Sequence, residues 1–225
     1  MRRIFVYSFF VMLFLAVTAM NVLADINQDL YSAVNRGDTQ AVKNLLQNGA
    51  NPNARCKNWA GKQDFTPVYA AAESGSAEIL GLLIDKGGDV NVHCPMGMTP
   101  LMTAANKGKK DAVALLLEKG ADANAKDTDG VTVLLYAVES FEAPEDAANA
   151  IVKALLDKGA DPNMLKDGWS PLMYAAARNK PQIVKLLIAK GANVNANKDG
   201  NTALKFAVDR EYLEIEKALR AAGAK

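Results

Sequence analysis

Histidine, cysteine and aromatic residues are scarce in this chain of 225 residues, and neither sign of charge is in surplus. There is one histidine, there are two cysteines, and aromatic residues make up 7% of the sequence. The 26 basic and 25 acidic residues leave no basic surplus to neutralise a phosphate backbone, so no nucleic-acid partner is expected. The low aromatic content beside abundant Ala, Leu and Val favours a helical solenoid over a β-sandwich or barrel.

The single histidine, His93, leaves little room for familiar catalytic sites. A closed zinc site needs four ligands, and no Ser-His-Asp arrangement or phosphate-cradling glycine loop is evident around it. The run Asp127-Thr128-Asp129-Gly130 lacks the glutamate of a calcium loop and is typical of a hairpin turn. Carboxylates are plentiful, but nothing singles out a catalytic pair. We therefore expect no metal, no cofactor and no enzymatic activity.

The first 24 residues have the pattern of a secretory signal peptide. Arg2 and Arg3 precede an apolar stretch, Ile4 to Val17, and Val22 and Ala24 stand at the −3 and −1 positions of a cleavage site. An exported protein is predicted, periplasmic in a bacterium and otherwise secreted. The alternative is an uncleaved membrane anchor, because the apolar stretch approaches the ~20 residues of a spanning helix.

Two short phrases recur along the chain at a nearly constant spacing. A helix-ending phrase consists of a glycine, then a small residue, and an Asn four positions after the glycine; it begins at Gly49, Gly87, Gly120, Gly159 and Gly191. A helix-starting phrase begins at Thr66, Thr99, Thr132, Ser170 and Thr202. These starts are 33, 33, 38 and 32 residues apart, and such a period indicates a repeat architecture.

Each phrase has a physical reason. Thr or Ser at an N-cap accepts a hydrogen bond from an orphaned amide, and Pro suits the first helical position. Glycine suits the left-handed residue that follows a helix. The two short helices between the phrases cannot bury their apolar faces alone, so each unit must stack on its neighbours.

With these phrases the chain resembles the ankyrin repeat family, whose period is about 33 residues and whose signature is T-P-L-H-x-A. The resemblance implies an all-α fold, an ankyrin-repeat α-solenoid of about six helix-turn-helix units with β-hairpin loops, over residues 25–225. The units are approximately 26–53, 54–91, 92–124, 125–163, 164–195 and 196–225. The signature histidine is replaced by Tyr69, Met102, Leu135, Met173 and Lys205, so apolar contacts between repeats are expected in place of its hydrogen bonds.

The family binds proteins through its hairpins and inner helices, so the resemblance implies a non-catalytic module. It would hold another exported protein in a concave groove as an inhibitor, regulator or scaffold. The residue before each helix-starting Thr or Ser would face the groove, and four of these are apolar: Phe65, Met98, Val131 and Trp169. Trp59 and Met96 would widen this surface. Polar residues at the ends of inner helices would fix orientation: Asn106, Lys107, Arg178 and Asn179. The alternative is that these side chains only pack on neighbouring hairpins or form a solvated face.

We expect the mature protein to act as a monomer without membrane contact. If the N-terminal segment is retained, the protein would instead be a membrane-tethered scaffold. Two insertions interrupt the period. One lengthens the loop from Asn53 to Thr66 and is expected to extend a hairpin. The other lies around residues 141–146, and its role is left open.

Cys56 and Cys94 stand three residues after the Asn that closes their phrases, in adjacent hairpins. In an oxidising compartment a disulfide is predicted. Neighbouring helices pack about 10 Å apart, and Cα atoms more than about 7 Å apart cannot be bridged, so the inserted loop would have to close the gap. The alternatives are two free thiols or a thiol-based redox or stress-protection factor, for which a lowered thiol pKa would be expected.

Overall fold

The computed structural model describes residues 26–57, 64–140 and 143–225. The predicted signal peptide, residues 1–24, and Trp59 lie outside this part of the chain. Within it, six helix pairs follow one another: α1 (26–36) with α2 (Thr39–Gln47), α3 (Pro67–Ser74) with α4 (Ala77–Asp85), α5 (Pro100–Asn106) with α6 (Lys110–Glu118), α7 (Val133–Glu139) with α8 (Glu145–Asp157), α9 (Pro171–Ala177) with α10 (Pro181–Ala189), and α11 (Ala203–Asp209) with α12 (Leu213–Ala221). The predicted all-α solenoid is confirmed. None of these helices is both long and apolar enough to span a membrane.

The first helix of every unit from the second onward begins at the predicted Thr or Ser. Each of these residues is extended, and its hydroxyl accepts a hydrogen bond from the backbone N–H three residues later. Four of the five side chains are buried in the structure: Thr66, Thr99, Thr132 and Ser170. A buried hydroxyl that satisfies an orphaned amide stabilises a helix by about 1 kcal/mol.

The helices form two layers that run the length of the stack. We call α1, α3, α5, α7, α9 and α11 the inner helices and the others the outer helices. From α3 onward each inner helix contacts the next inner helix, and from α2 onward each outer helix contacts the next outer helix. The core lies between the layers and consists mainly of fully buried Ala, Val, Leu and Ile side chains. Small alanines suit this role because they let the short helices approach closely.

The Asn that closes each helix-ending phrase joins its unit to the next one. Its side-chain Nδ2 donates to the glycine carbonyl of the following unit at 2.8–3.4 Å. Its Oδ1 accepts a hydrogen bond from a backbone N–H of that following unit at 2.7–2.9 Å. The residues of this asparagine ladder are Asn53, Asn91, Asn124, Asn163 and Asn195. The ladder explains why Asn recurs there, since both side-chain functions are used.

The residues that replace the signature histidine do not all make purely apolar contacts. Tyr69 accepts a hydrogen bond from the Thr103 hydroxyl at 3.0 Å, across two units. The thioether of Met102 accepts the N–H of Thr99 at 3.4 Å. The expectation of apolar contacts between repeats is therefore wrong at Tyr69, because its phenol retains a polar atom, whereas the Met102 bond lies within its own unit.

The insertion around residues 141–146 adds a turn to an outer helix. Helix α8 has 13 residues, whereas the other outer helices have nine. The chain entering it is held by Ser140, whose hydroxyl donates to the Asn106 carbonyl at 2.6 Å and accepts from Ala143 N–H at 3.2 Å. Residues 141 and 142 are outside the described chain.

The outward face of the last unit is more polar than the matching faces of the inner units. Lys205 is exposed where the preceding units bury Leu135 and Met173. On α12, Glu216 and Arg220 form an ion pair at 2.8 Å. This unit therefore carries charge at positions where the unit before it has apolar residues.

Candidate functional site

The four apolar residues of the hairpins, which we call the hairpin row, lie half-buried beside the inner helices. The row consists of Phe65, Met98, Val131 and Trp169. The ring of Phe65 lies 5.4 Å from that of Tyr69 on α3. These side chains are therefore partly packed on their own repeats and partly open to solvent.

Trp169, in the hairpin before α9, is the centre of an aromatic group that includes one residue of α9 and one of α11. Its ring centroid lies 5.4 Å from that of Tyr174 and 5.1 Å from that of Phe206, with Trp169 and Phe206 stacked at 27°. The guanidinium of Arg210 lies 5.7 Å from the Phe206 centroid. We call Trp169, Tyr174 and Phe206 the aromatic stack.

Sequence reasoning missed Tyr174 and Phe206, although a signal was present. Both are the fourth residue after their helix-starting Ser or Thr. The same position holds Ala70, Thr103 and Tyr136 in the earlier units. Aligning the units at this position reveals small residues in the first half of the inner surface and aromatic residues in the second half.

The hairpin preceding α7 is fixed by Asp127, which is buried. Its Oδ1 accepts the backbone N–H groups of Asp129 and Val131 at 2.9 and 2.8 Å, and its Oδ2 accepts the Tyr136 hydroxyl at 2.6 Å. Burial, and then the adjacent Asp127 carboxylate, raise the pKa of Tyr136. The predicted hairpin turn at 127–130 is thus present, and it is tied to an inner helix.

Met96 stands at the tip of the preceding hairpin, with 64% of its surface exposed. Its carbonyl accepts both the N–H and the hydroxyl of Thr128 at 3.0 Å. Gly97 next to it has φ +74, and a Cβ there would lie 2.9 Å from the Thr128 nitrogen. Close contact between adjacent hairpins therefore presents the Met96 side chain to solvent.

The predicted polar residues lie at the ends of the inner helices. Asn106 and Lys107 are half-buried at the end of α5, and Arg178 and Asn179 are exposed after α9. Arg178 lies 3.4 Å from the Glu139 carboxylate. Arg178 and Asn179 also line a cleft of about 310 Å³ between the fourth and fifth units.

Lys180 closes one side of that cleft. Its ammonium donates to the carbonyls of Val138 and Ser140 at 2.7 and 3.1 Å, which caps the end of α7. Burial, with a smaller contribution from Arg178, lowers its pKa. This lysine therefore joins the fifth unit to the end of α7 in the fourth.

The predicted disulfide is not formed, and Cys56 and Cys94 are free, buried thiols. The Cys56 Sγ is 3.5 Å from the Asn27 carbonyl in the first unit. The Cys94 thiol is hydrogen-bonded to Thr66 in the second unit. Because both hairpins repeat the same geometry, both thiols point toward the preceding unit instead of toward each other. Burial raises the pKa of Cys56 to about 11 and also raises that of Cys94. This is the opposite of the shift that a reactive redox thiol needs.

Two free thiols are therefore expected in the purified full chain without reductant. Only the thiolate reacts with Ellman's reagent, so at pH 8 we expect native Cys56 to react about a hundredfold more slowly than in the unfolded chain, and Cys94 to be slowed as well. The comparison needs one titration in buffer and one in guanidinium chloride. Absence of both thiols after unfolding would mean that the cysteines are bonded in the protein, and rapid native labelling would mean that they are accessible.

No cluster of potential metal ligands occurs within residues 26–57, 64–140 and 143–225. His93 is exposed, and its Nδ1 lies 3.2 Å from the Gly97 carbonyl. The polar side chains described above thus form hydrogen bonds within the hairpins and at the ends of helices.

Six stacked helix pairs joined by short hairpins form an α-solenoid. Repeat proteins of this kind use their extended surfaces for binding, and here that surface carries partly exposed aromatic residues. The family model described as ankyrin repeats (3 copies) matches residues 30–127, 69–162 and 134–225. The chain belongs to the ankyrin repeat family, whose repeats are protein–protein interaction modules.

Solved structures agree with this assignment. The chain is similar to an ankyrin repeat domain from Acinetobacter baumannii AYE, with 31% identity and a TM-score of 0.75, over 87% of this chain and 98% of that one. It is also similar to the ankyrin repeat domain of Bcl-3, a member of the IκB protein family, with 29% identity and a TM-score of 0.73, over 88% and 86% of the two chains.

Two curated relatives match over shorter stretches. An ankyrin repeat-containing protein of Schizosaccharomyces pombe is 33% identical over 64 residues, which are 28% of each chain. The inactive serine/threonine-protein kinase TEX14 of Bos taurus is 43% identical over 68 residues, 30% of this chain and 4% of that protein. The chain therefore matches well under two thirds of the length of either relative.

Proposed function

We propose that this chain is a non-catalytic module that binds one exported partner protein on the surface formed by the hairpins and inner helices, and so inhibits, regulates or scaffolds it. The observation that carries the proposal is the aromatic stack, in which Trp169, Tyr174 and Phe206 lie side by side and partly exposed. Aromatic residues and Met are enriched at the cores of protein interfaces, and a few such anchors supply most of the binding energy.

The neighbouring groups suit this role. Arg178 and Arg210 lie beside the stack at the ends of two adjacent inner helices, and charges near an anchor improve orientation and specificity. Exposed Met96 offers a second apolar contact on an earlier hairpin. The surface is built on stacked helices, so little ordering entropy is lost on binding. Export follows from the signal-like pattern of the first 24 residues, and a retained segment would make the same module a tethered scaffold.

Affinity capture from the exported fraction tests the proposal with Trp169→Ala as bait against wild type. We expect recovery of the specific partner to fall about tenfold or more, because the variant removes the central anchor. Leu213→Ala is the matched control, since Leu213 is 75% exposed on the outer helix α12, whereas the stack lies on the hairpin and inner-helix surface.

Circular dichroism should report the same helical content for both variants. Equal recovery of the same proteins by the wild type and by Trp169→Ala would reject the aromatic stack as the binding surface. Sequencing the N-terminus of the matured protein distinguishes a released module, beginning near Asp25, from a tethered one.

A further inference from the structure

The polar atoms of the aromatic stack differ from those of the other inner-surface aromatics. The Tyr69 and Tyr136 hydroxyls are engaged with Thr103 and Asp127. The indole N–H of Trp169 and the hydroxyl of Tyr174 have no hydrogen bond to any group in the described residues, where no side-chain nitrogen or oxygen is both buried and unpaired. Both groups therefore reach solvent at the rim of the stack.

Acceptors near the stack already receive hydrogen bonds from arginines. The Glu139 carboxylate accepts from Arg178 at 3.4 Å. The Ala177 carbonyl accepts from Arg210, whose guanidinium also lies over Phe206. The open groups at the rim are thus an indole N–H and a phenol, beside two cationic side chains. Because the indole N–H and the phenol O–H can both donate, this arrangement favours a ligand rich in hydrogen-bond acceptors.

A ligand for this surface must cover flat rings and also present carbonyl oxygens. A helix uses its backbone carbonyls internally. An added β-strand needs alternating donors and acceptors along a sheet edge, whereas the described hairpins contain only isolated bridges. A polyproline II segment presents solvated carbonyls, and each proline adds an apolar ring without a backbone N–H. Aromatic-lined surfaces recognise such segments in other folds.

We infer that the aromatic stack docks an extended, proline-containing segment of the partner protein. A proline ring packs on the exposed part of Trp169, and backbone carbonyls accept the Trp169 indole N–H and the Tyr174 hydroxyl. This inference rests on the proposed function and specifies the partner's chemistry at the same surface.

A random peptide library displayed on phage tests the inference, with the full chain as bait and Trp169→Ala as the counter-selection. The expected result is enrichment of peptides with prolines spaced for a polyproline II helix, which wild type retains and Trp169→Ala does not. Decaproline is the direct probe, and its binding is followed by the shift of the Trp169 indole signal in NMR spectra. A glycine–serine peptide of equal length is the control and should produce no shift.

Two conservative variants test the hydrogen bonds without removing the rings. Trp169→Phe and Tyr174→Phe should each weaken binding of the best selected peptide about three- to tenfold, since each loses one donor. Leu213→Ala changes an exposed residue of an outer helix, outside the hairpins and inner helices, and should leave affinity unchanged.

The outcomes separate the two levels of the hypothesis. Trp169-dependent peptides without proline enrichment would overturn the polyproline assignment and leave the binding surface intact. Selected peptides that bind equally to Trp169→Ala would overturn both. Failure to enrich any peptide, together with no indole shift on adding decaproline, would also overturn the polyproline assignment, while the capture experiment with Trp169→Ala decides the surface independently.

Discussion

Replacing Leu135 with alanine is expected to lower the free energy of unfolding by about 3 kcal/mol. Leu135 is the third residue after the Thr132 N-cap, and its side chain is fully buried. It belongs to α7, which contacts both α5 and α9. Alanine would leave a cavity in the middle of the inner layer, where the backbones of three helices restrict collapse. Urea denaturation followed by circular dichroism measures the change.

Lys205→Ala is the matched control for this cavity. Lys205 occupies the same position after the Thr202 N-cap, but its side chain is exposed. Its replacement should change stability by no more than about 0.5 kcal/mol. Hydrogen exchange adds a local readout, because in a repeat array stability depends on contacts between nearest neighbours. Faster exchange should centre on α5, α7 and α9. A loss below about 1 kcal/mol for Leu135→Ala would contradict the buried position.

Removing the carboxylate of Asp127 is expected to have a similarly large effect. Asp127→Ala leaves the N–H groups of Asp129 and Val131 and the Tyr136 hydroxyl without their acceptor. Unpaired groups at a buried site cost about 1–3 kcal/mol each, although opening of the hairpin would let water satisfy some of them. We therefore expect a net loss of about 3 kcal/mol, measured by the same urea denaturation.

Asp129→Ala is the control in the same hairpin. Asp129 is exposed, and only its backbone N–H takes part in the turn. Tyr136→Phe should fall between the two, because the Asp127 carboxylate keeps both backbone hydrogen bonds and loses only the one donated by the Tyr136 hydroxyl. If Asp129→Ala proved as destabilising as Asp127→Ala, the loss would come from the hairpin backbone and the proposed role of the buried carboxylate would be wrong.

The repeat phrases predict the fold well because they act locally. Thr66, Thr99 and Thr132 accept hydrogen bonds from residues three positions later, and this depends only on the sequence beside them. The same holds for the glycines that end helices, such as Gly120 with φ +87. Helix pairs that cannot bury their faces alone then have one way to do so, which is to stack.

The candidate site is predicted less well because its parts come from different units. The hairpin position of Trp169 follows from its place before Ser170. Its contact with Phe206 on α11 depends on the offset between two repeats, which a single unit does not contain. Whether a hydroxyl already has a hydrogen-bond partner also depends on residues outside its own helix. The Tyr136 hydroxyl donates to Asp127, whereas the Tyr174 hydroxyl is open to solvent.

The cysteines illustrate the same limit. Their matching positions in adjacent hairpins are visible in the sequence, and they suggested a bridge. Translation from one unit to the next carries each thiol to the same side of its hairpin, so Cys56 meets Asn27 and Cys94 meets Thr66. Side chains at the same position in two repeats therefore point in parallel directions. The translation between the repeats keeps the two thiols apart.

The sequence alone determined the family, the number of units and the start of the inner helix in the second to sixth units, because capping and periodic burial are encoded within a few residues. Tertiary structure decided which side chains share a surface and which polar groups are already engaged. Those properties depend on the rotation and translation between successive units, and these are set by the packing of all the buried side chains together.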